Sequence, residues 1–458
     1  MSDVSSVSAA VAELSATFAG RLLRPTDAAY DEARRVHNGL IDKRPALIAQ
    51  CKGTADIVDA VRLARRLKLD VAVRGGGHSV AGRATIEGGL MIDLSLMKGI
   101  DVDATVRRAR AQGGVTWNEF NRETQLHGLA TTGGVVSTTG IGGLTLGGGI
   151  GWLMGKYGLA LDNLMSVELV TADSRILHVS DTEQPDLFWA LRGGGGNFGI
   201  AASLEYRLHK VGPSLTGGFV SYPLTAAHDV LRLFRDLAVS APDELMLVAG
   251  LFGAPAGSGA KVVMIGAAYC GPVRDGEVAV RPIKTFSEPI LDTLGPTTYC
   301  ELNATLDAGY PRGARNYWKS HLLPHLTDEV IHTMVECYDK CTSPMSEIYI
   351  EHMHGAATRI GVSETAFLFR STSYNFVIAS QWMNSAEDEQ CVGWTRETYA
   401  ALQPFVGVGR YVNYLDDDEP GDPAAAAYGP NYGRLREIKT KYDPENFFHM
   451  NQNIRPLS

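Results

Sequence analysis

Glycine is concentrated between Arg74 and Gly199, where it recurs in short clusters: "RGGGH", "TTGG", "GIGGLTLGGGIG" and "RGGGGNFG". Glycine gives up side-chain packing and costs more backbone entropy than other residues, so such runs need a reason. Consecutive N–H groups in a tight loop can form an anion-binding nest, and a backbone without Cβ atoms lets a flat ligand approach. Turns in a β-rich domain would explain one cluster, but four clusters joined by strands favour a binding region.

The dinucleotide fingerprint GxGxxG does not account for these glycines. Its one literal match is Gly194, Gly196 and Gly199 in "GGGNFG". A Rossmann fingerprint follows a strand and opens a helix. Here a helix-like segment precedes the match and a strand follows it. The sequence therefore argues against a Rossmann nucleotide site.

Length and charge exclude several classes of protein. A chain of 458 residues is too long for one compact core, so two or more domains are expected. The net charge of −9, without a Lys/Arg-rich block, argues against nucleic acid as a partner. No apolar run is long enough to span a bilayer. Six cysteines without a CxxC pair lack the zinc and thioredoxin motifs.

The N-terminal segment, residues 1–20, has no basic start before its apolar residues. It therefore differs from a signal peptide and reads better as a short amphipathic helix. Together with the unpaired cysteines, this predicts a cytoplasmic, thiol-containing protein.

Local patterns predict a mixture of helices and strands. Residues 54–69 have helical apolar spacing, with Thr54 as a candidate cap. Residues 69–73 alternate like a strand and lead into the first glycine cluster. Residues 200–208 and the segment "SEIYIEHMH" also alternate. The sequence therefore predicts helices and strands around a glycine-rich first region.

Five motifs in order resemble one known family: "RGGGHSVAG", "GGLTLGGGIGWLMGKYGLALDN", "DLFWALRGGGGNFGI", "YVNYLDDD" and "YDPENFFHMNQNI". The chain resembles the FAD-linked oxidases of the vanillyl-alcohol oxidase and p-cresol methylhydroxylase (PCMH) fold, in the berberine-bridge-enzyme-like branch. Within that branch, the 6-hydroxynicotine-oxidase-like or secondary-metabolite oxidases are the nearest type. The resemblance implies an α+β fold with a PCMH-type FAD-binding domain at 1–212. It further implies a substrate domain at 213–405, with an antiparallel sheet flanked by helices, and a C-terminal return to the FAD domain at 406–458.

The resemblance also implies how FAD is held. The loop Arg74–Ser79 would wrap the diphosphate, and His78 would be bonded covalently to the 8α-methyl carbon of the flavin. Relatives with a second tether use a cysteine where this chain has Val136, so His78 is expected to be the only attachment. Thr139 stands where relatives control oxygen access, and its size favours an oxidase.

The remaining cofactor contacts are carried over from the same motifs. The residues expected around FAD are Arg74, Gly75, Gly76, Gly77, His78, Ser79, Val136, Ser137, Thr139, Gly140, Gly142, Gly143, Gly149, Asn197, Gly199, Ile200, Tyr411, Asn413, Asn451 and Asn453.

Catalysis needs a base that removes a proton while hydride leaves carbon. In relatives this is the second tyrosine of "YxNY", which is Tyr414 here. A phenol titrates high without help, and Glu351 or His352 could assist. Tyr317 and Trp382 are hypothetical pocket walls. His352 and His354 could form a metal pair, but no third ligand is evident, so no metal is expected.

The predicted function is oxidation of a C–OH or C–N centre in an apolar or aromatic small molecule by covalent FAD. The electrons would pass to O2 and give H2O2. The alternatives are a dehydrogenase of the same fold with another acceptor, or a drug-binding or resistance flavoprotein. A small-molecule substrate and O2 are the expected partners, without nucleic acid or membrane, and a homodimer is compatible with the sequence.

Overall fold

The computed structural model describes residues 11–12, 14–254, 259–419 and 421–457. The predicted N-terminal amphipathic helix lies largely outside these residues. Across the described ranges, no helix combines the length and apolar character needed to cross a bilayer.

The described ranges contain nineteen strands, numbered in chain order. They are β1 Arg21–Leu23, β2 Leu47–Gln50, β3 Val71–Arg74, β4 Leu90–Asp93, β5 Ile100–Asp103, β6 Arg108–Gln112, β7 Leu129–Ala130, β8 Leu164–Val170, β9 Ile176–Ser180, β10 Ile200–Arg207, β11 His209–Lys210, β12 Leu215–Pro223, β13 Leu245–Gly253, β14 Lys261–Tyr269, β15 Leu291–Asp292, β16 Gly295–Thr297, β17 Arg315–Leu323, β18 Glu347–Met353 and β19 Ser373–Trp382.

The α-helices of the described ranges are numbered in the same way. They are α1 Tyr30–Ala33, α2 Thr54–Leu67, α3 Trp117–Gln125, α4 Ile141–Gly147, α5 Met154–Tyr157, α6 Pro185–Leu191, α7 Ala227–Val239, α8 Val273–Lys284, α9 Tyr299–Ala304, α10 Asp328–Asp339, α11 Ala356–Arg359, α12 Asp388–Leu402, α13 Pro423–Tyr428 and α14 Tyr432–Tyr442.

The first half of the chain forms small sheets that carry the glycine loops. One sheet has the order β1-β2-β4-β3, in which β2, β4 and β3 run parallel. The other has the order β5-β6-β10-β8-β9 and is antiparallel. The first glycine loop begins where β3 ends, so the sheet fixes the position of that loop.

The second region is built on one large antiparallel sheet of eight strands. Its main path runs β15-β12-β14-β13-β18-β19-β17, and β16 pairs with β12. Helices α7, α8, α10 and α12 cover one face with a continuous apolar core. Because side chains alternate along a strand, the opposite face is free to form another surface. That face turns toward the glycine loops.

The predicted α+β class, with an antiparallel sheet flanked by helices, is confirmed. The domain limits at 212 and 405 stay a prediction. One local expectation was wrong: Thr54 does not cap helix α2, because Gly53 takes the cap position. The Thr54 hydroxyl instead donates a 2.6 Å hydrogen bond to Glu168 on strand β8. The threonine therefore joins helix to sheet rather than starting the helix.

Candidate active site

A large cavity lies between the glycine loops and the large sheet. The cavity is lined by the loop after β3, the start of α4, the turn before β10, and the segment around residues 411–415. Of the predicted site residues, these line it: Gly75, Gly76, Gly77, His78, Ser79, Val136, Thr139, Gly140, Gly142, Gly143, Asn197, Gly199, Ile200, Tyr411, Asn413, Tyr414 and Asn451.

The floor of the cavity is backbone, and it fits a flat anionic cofactor. A Cβ on Gly76 or on Gly140 would collide with the other residue's backbone, so the two loops meet without side chains between them. Gly77 has φ +72°, which favours glycine. The N–H groups of residues 75–79 donate no hydrogen bond to the described chain, which leaves them for an anion.

His78 projects into this cavity with its ring held from two sides. Its Nε2 atom lies 2.8 Å from Thr138 Oγ1. Its ring stacks on His37 with centroids 3.9 Å apart. Burial and then the neighbouring His37 lower the pKa of His78 to about 3, so the imidazole is neutral at pH 7. A neutral imidazole keeps a lone pair and can act as a nucleophile.

Arg74 does not lie at the cavity, which corrects its expected contact with the cofactor diphosphate. Its Nε donates to Asp93 at 2.8 Å, and Nη2 pairs with the other oxygen of Asp93. Nη1 donates to the carbonyl oxygens of Ala33 at 2.7 Å and Arg35 at 2.9 Å. The guanidinium donors are therefore engaged by partners within the fold. Its role is to neutralise a carboxylate on the adjacent parallel strand.

Arg74→Met should lower the free energy of unfolding by about 3–5 kcal/mol, because it leaves Asp93 buried without its counter-charge. Urea denaturation followed by far-UV circular dichroism measures this. Arg62→Met is the control, since Arg62 is exposed and the loss of its i,i+3 pair with Asp59 should cost below about 1 kcal/mol. Equal midpoints for the two variants would contradict the structural role of Arg74.

Three more predicted cofactor contacts lie outside the cavity wall. Ser137 is turned toward Asp307, which accepts from its backbone N at 2.8 Å and from its hydroxyl at 2.5 Å. Gly149 lies behind the wall and donates its N–H to Tyr411 Oη at 2.9 Å. Asn453 lines a neighbouring depression rather than the main cavity. None of these three residues therefore lines the main cavity.

Tyr414 and Glu351 meet on the sheet side of the cavity. The Tyr414 hydroxyl donates to Glu351 Oε1 across 3.2 Å. Asn375 Nδ2 donates to the other oxygen, Oε2, at 2.6 Å. Glu351 is only 1 % exposed, while Tyr414 lines the cavity in front of it. The pair therefore presents a phenol to the ligand and keeps a carboxylate behind it.

The pKa values of both groups are raised, whereas a tyrosine acting alone as the base would need a lowered pKa. Burial, with the adjacent Glu351 second, raises the pKa of Tyr414 well above its ordinary value. Burial also raises the pKa of Glu351 to about 7, against the lowering effect of its hydrogen bonds from Asn375 and Tyr414. The carboxylate is therefore the better proton acceptor near neutral pH, and the phenol is its contact with the cavity.

His352 does not reach this site, and its predicted assistance to Tyr414 is corrected. Neighbouring residues of a strand point to opposite faces, so His352 faces away from Glu351. Its ring stacks on His354 at 4.5 Å and lies 5.5 Å from Tyr374. Within the described ranges, no group of three His, Cys, Asp or Glu side chains is placed to hold a metal ion.

An aromatic wall was only partly anticipated. Tyr310, Trp318 and Tyr349 line the cavity beside Tyr414. The hypothesised wall residue Tyr317 instead faces the other side of β17, where it donates to Asp418 at 2.7 Å. Trp382 packs there as well. The alternation of β17 could have suggested Trp318, but both faces of that strand carry an aromatic residue.

The C-terminal segment, residues 411–454, forms one wall of the cavity. Asn413 Nδ2 donates to Leu144 O at 3.1 Å and to Tyr411 Oη at 2.9 Å. Asn197 accepts the N–H of Ile454 at 3.1 Å through its side-chain oxygen. The tail is thus bonded directly to the glycine-rich region.

Two family models match the chain. One, described as "FAD binding domain", covers residues 45–180, and the other, "Berberine and berberine like", covers residues 410–455. The chain is 32 % identical over 418 residues to a FAD-linked oxidoreductase of Dictyostelium discoideum, covering 90 % of this chain and 89 % of the relative.

Solved structures agree over almost the whole length. The chain resembles 6-hydroxy-D-nicotine oxidase from Arthrobacter nicotinovorans with a TM-score of 0.88 and 28 % identity, over 96 % of this chain and 99 % of that one. It resembles glucooligosaccharide oxidase from Acremonium strictum with a TM-score of 0.87 and 25 % identity, over 99 % and 100 %. The latter structure is described with a 6-S-cysteinyl, 8α-N1-histidyl FAD.

Proposed function

Because this chain belongs to the berberine-bridge-like FAD-linked oxidoreductases, we propose that it is an oxidase that takes hydride from a C–OH or C–N centre of an aromatic or apolar small molecule. O2 is the proposed electron acceptor and H2O2 the product. The observation that carries the proposal is the Tyr414–Glu351 pair, whose phenol faces the same cavity as the glycine loops.

FAD fits the residues present, and His78 is its proposed point of attachment. The glycine loop offers N–H groups to the diphosphate, and Asn451 and Asn197 lie along the same cavity. The cofactor supplies the hydride acceptor when bound. Val136 cannot form a thioether, and none of the six cysteines lines the cavity. A single link, through His78, follows.

Proton removal is assigned to the pair rather than to Tyr414 alone. The substrate O–H or N–H donates to Tyr414 Oη, and Tyr414 passes its own proton to Glu351. Asn375 holds Glu351 in place at 2.6 Å, so the carboxylate stays aligned with the phenol. Removing the heteroatom's proton while hydride leaves carbon avoids a high-energy cation. Tyr310, Trp318 and Tyr349 give the substrate an apolar, aromatic surround.

The test of the function is a substrate screen. Purified protein is mixed with panels of aromatic alcohols and cyclic amines, and H2O2 is followed through a coupled peroxidase. Stopped-flow reoxidation of reduced enzyme by air separates an oxidase from a dehydrogenase, which would react slowly. Thr139, which lines the cavity, supports the oxidase. Tight ligand binding without flavin reduction would favour the drug-binding alternative.

The rate of flavin reduction should depend on pH through Glu351. Below pH 7 the carboxyl is protonated and cannot accept a proton, so the rate should fall about tenfold per pH unit. Above pH 7 it should level off. The measurement is anaerobic flavin reduction from pH 5 to 9, with a substrate found in the screen.

Two variants distinguish Glu351 from Glu347 as the origin of this pH dependence. Glu351→Gln should remove the acid limb and leave a slow, flat profile. Glu347 is a matched control, since burial raises its pKa to about 7 as well, and it binds Tyr310 instead of Tyr414. Glu347→Gln should keep the acid limb. An acid limb that vanishes only in Glu347→Gln would contradict the role given to Glu351.

A further inference from the structure

Thr138 contacts the proposed attachment residue from the solvent side. Its Oγ1 lies 2.8 Å from His78 Nε2, and this hydroxyl makes no other hydrogen bond within the described residues. Thr138 itself is exposed. The hydroxyl therefore joins the enclosed imidazole to water.

His37 fixes the plane of the same imidazole. The two rings are 3.9 Å apart and inclined by 20°. His37 is buried and is held at both backbone ends, where its N–H donates to Gly77 O at 3.0 Å and its carbonyl accepts from Gly313 N at 2.9 Å. With the ring plane set by His37 and the Nε2 edge set by Thr138, the Nδ1 edge is the one left for bonding.

A neutral imidazole carries one proton, and the nitrogen without it is the nucleophile. If Nε2–H donates to Thr138 Oγ1, the lone pair lies on Nδ1. If the proton were on Nδ1, that atom could not attack. The hydroxyl can therefore decide which form of His78 is reactive.

We propose that Thr138 is a positioning residue for covalent flavin attachment, which holds the proton of His78 on Nε2 and then conducts it to water. The proposal rests on the attachment at His78 proposed above. In the step, Nδ1 forms a bond to the 8α-methyl carbon, and that carbon gives up one proton to solvent. The Nε2 proton leaves through Thr138. The two electrons left on the flavin pass to O2, which becomes H2O2.

The test compares two substitutions of similar size. Thr138→Val keeps the shape and removes the hydroxyl, whereas Thr138→Ser keeps the hydroxyl. Full-length apoprotein, made under flavin limitation, is mixed with FAD in air. Covalent flavin is followed as fluorescence of the acid-denatured, washed protein band, and reversible binding as quenching of free FAD fluorescence.

Thr138→Val should attach FAD about tenfold more slowly than wild type, the rate equivalent of one ordinary hydrogen bond. Its reversible binding of FAD should be unchanged, and Thr138→Ser should attach at close to the wild-type rate. A wild-type rate in Thr138→Val, or an equally slow Thr138→Ser, would overturn the role of Thr138 alone. Wild-type protein that never attaches FAD would overturn both this role and the attachment itself.

NMR of the purified flavin peptide adds a second readout. Chemical shifts of the imidazole distinguish a link through Nδ1 from one through Nε2. A wild-type link through Nδ1 agrees with the contact between Nε2 and Thr138. A link through Nε2 would be incompatible with it.

Discussion

His78→Ala should yield protein whose flavin is released completely by acid, whereas wild-type protein should stay yellow in the precipitate. The change removes the imidazole of the glycine loop from the cavity, and it leaves the N–H groups of that loop intact. The variant should therefore still bind FAD reversibly. Acid precipitation followed by absorbance of the supernatant and the pellet measures the difference.

Mass spectrometry of flavin-bearing peptides gives the matched check. Wild-type protein should show one attachment, at His78, and none at a cysteine. Val136 lines the cavity at the position of a second tether, so Val136→Cys tests whether geometry permits a second link. Complete release of flavin from wild-type protein, or a native cysteine link, would disprove the single attachment.

Tyr414→Phe should slow flavin reduction by substrate about 10²–10⁴-fold, the usual range for a lost proton transfer. The substitution keeps the ring, which packs edge-on against Tyr411 at 4.9 Å and Trp318 at 5.8 Å. Flavin binding and stability should therefore survive. Anaerobic stopped-flow reduction measures the loss, and reoxidation by O2 should change little.

Tyr310→Phe is the control for Tyr414→Phe. Tyr310 lines the same cavity and donates to a partly buried carboxylate, Glu347, rather than to Glu351. It should reduce its flavin far faster than Tyr414→Phe does. Flavin reduction at the wild-type rate in Tyr414→Phe would show that the proton leaves by another route.

The motifs that line the cavity could be predicted from the sequence because their residues are contiguous. The glycines of residues 75–79 indicate a binding loop, since few other structural needs explain consecutive glycines. Arg74 was misassigned because its partner, Asp93, is 19 residues away on a neighbouring parallel strand. A single sequence does not show that pairing, so the arginine looked free to bind an anion.

The substrate side was harder to predict because it depends on which face of a sheet is covered. Alternation separates Glu351 from His352, but it does not say which of them faces the cofactor. That choice is made by helices α7 and α10, which pack against the face carrying Ile348 and Ile350. Trp318 and Tyr317 show the same ambiguity. They are adjacent on β17 and face opposite sides of the sheet, so the sequence does not say which of them lines the cavity.

The closing role of the C-terminal segment has a consequence for how the protein matures. Tyr411, Asn413, Tyr414 and Asn451 are synthesised after the glycine loops and the large sheet, yet they complete the same cavity. Domains generally fold as they leave the ribosome, N-terminal parts first. The cavity therefore lacks one wall and stays open to water until residues 411–455 have been synthesised and have packed against it. We therefore expect flavin to load only after residues 411–455 have joined the cavity.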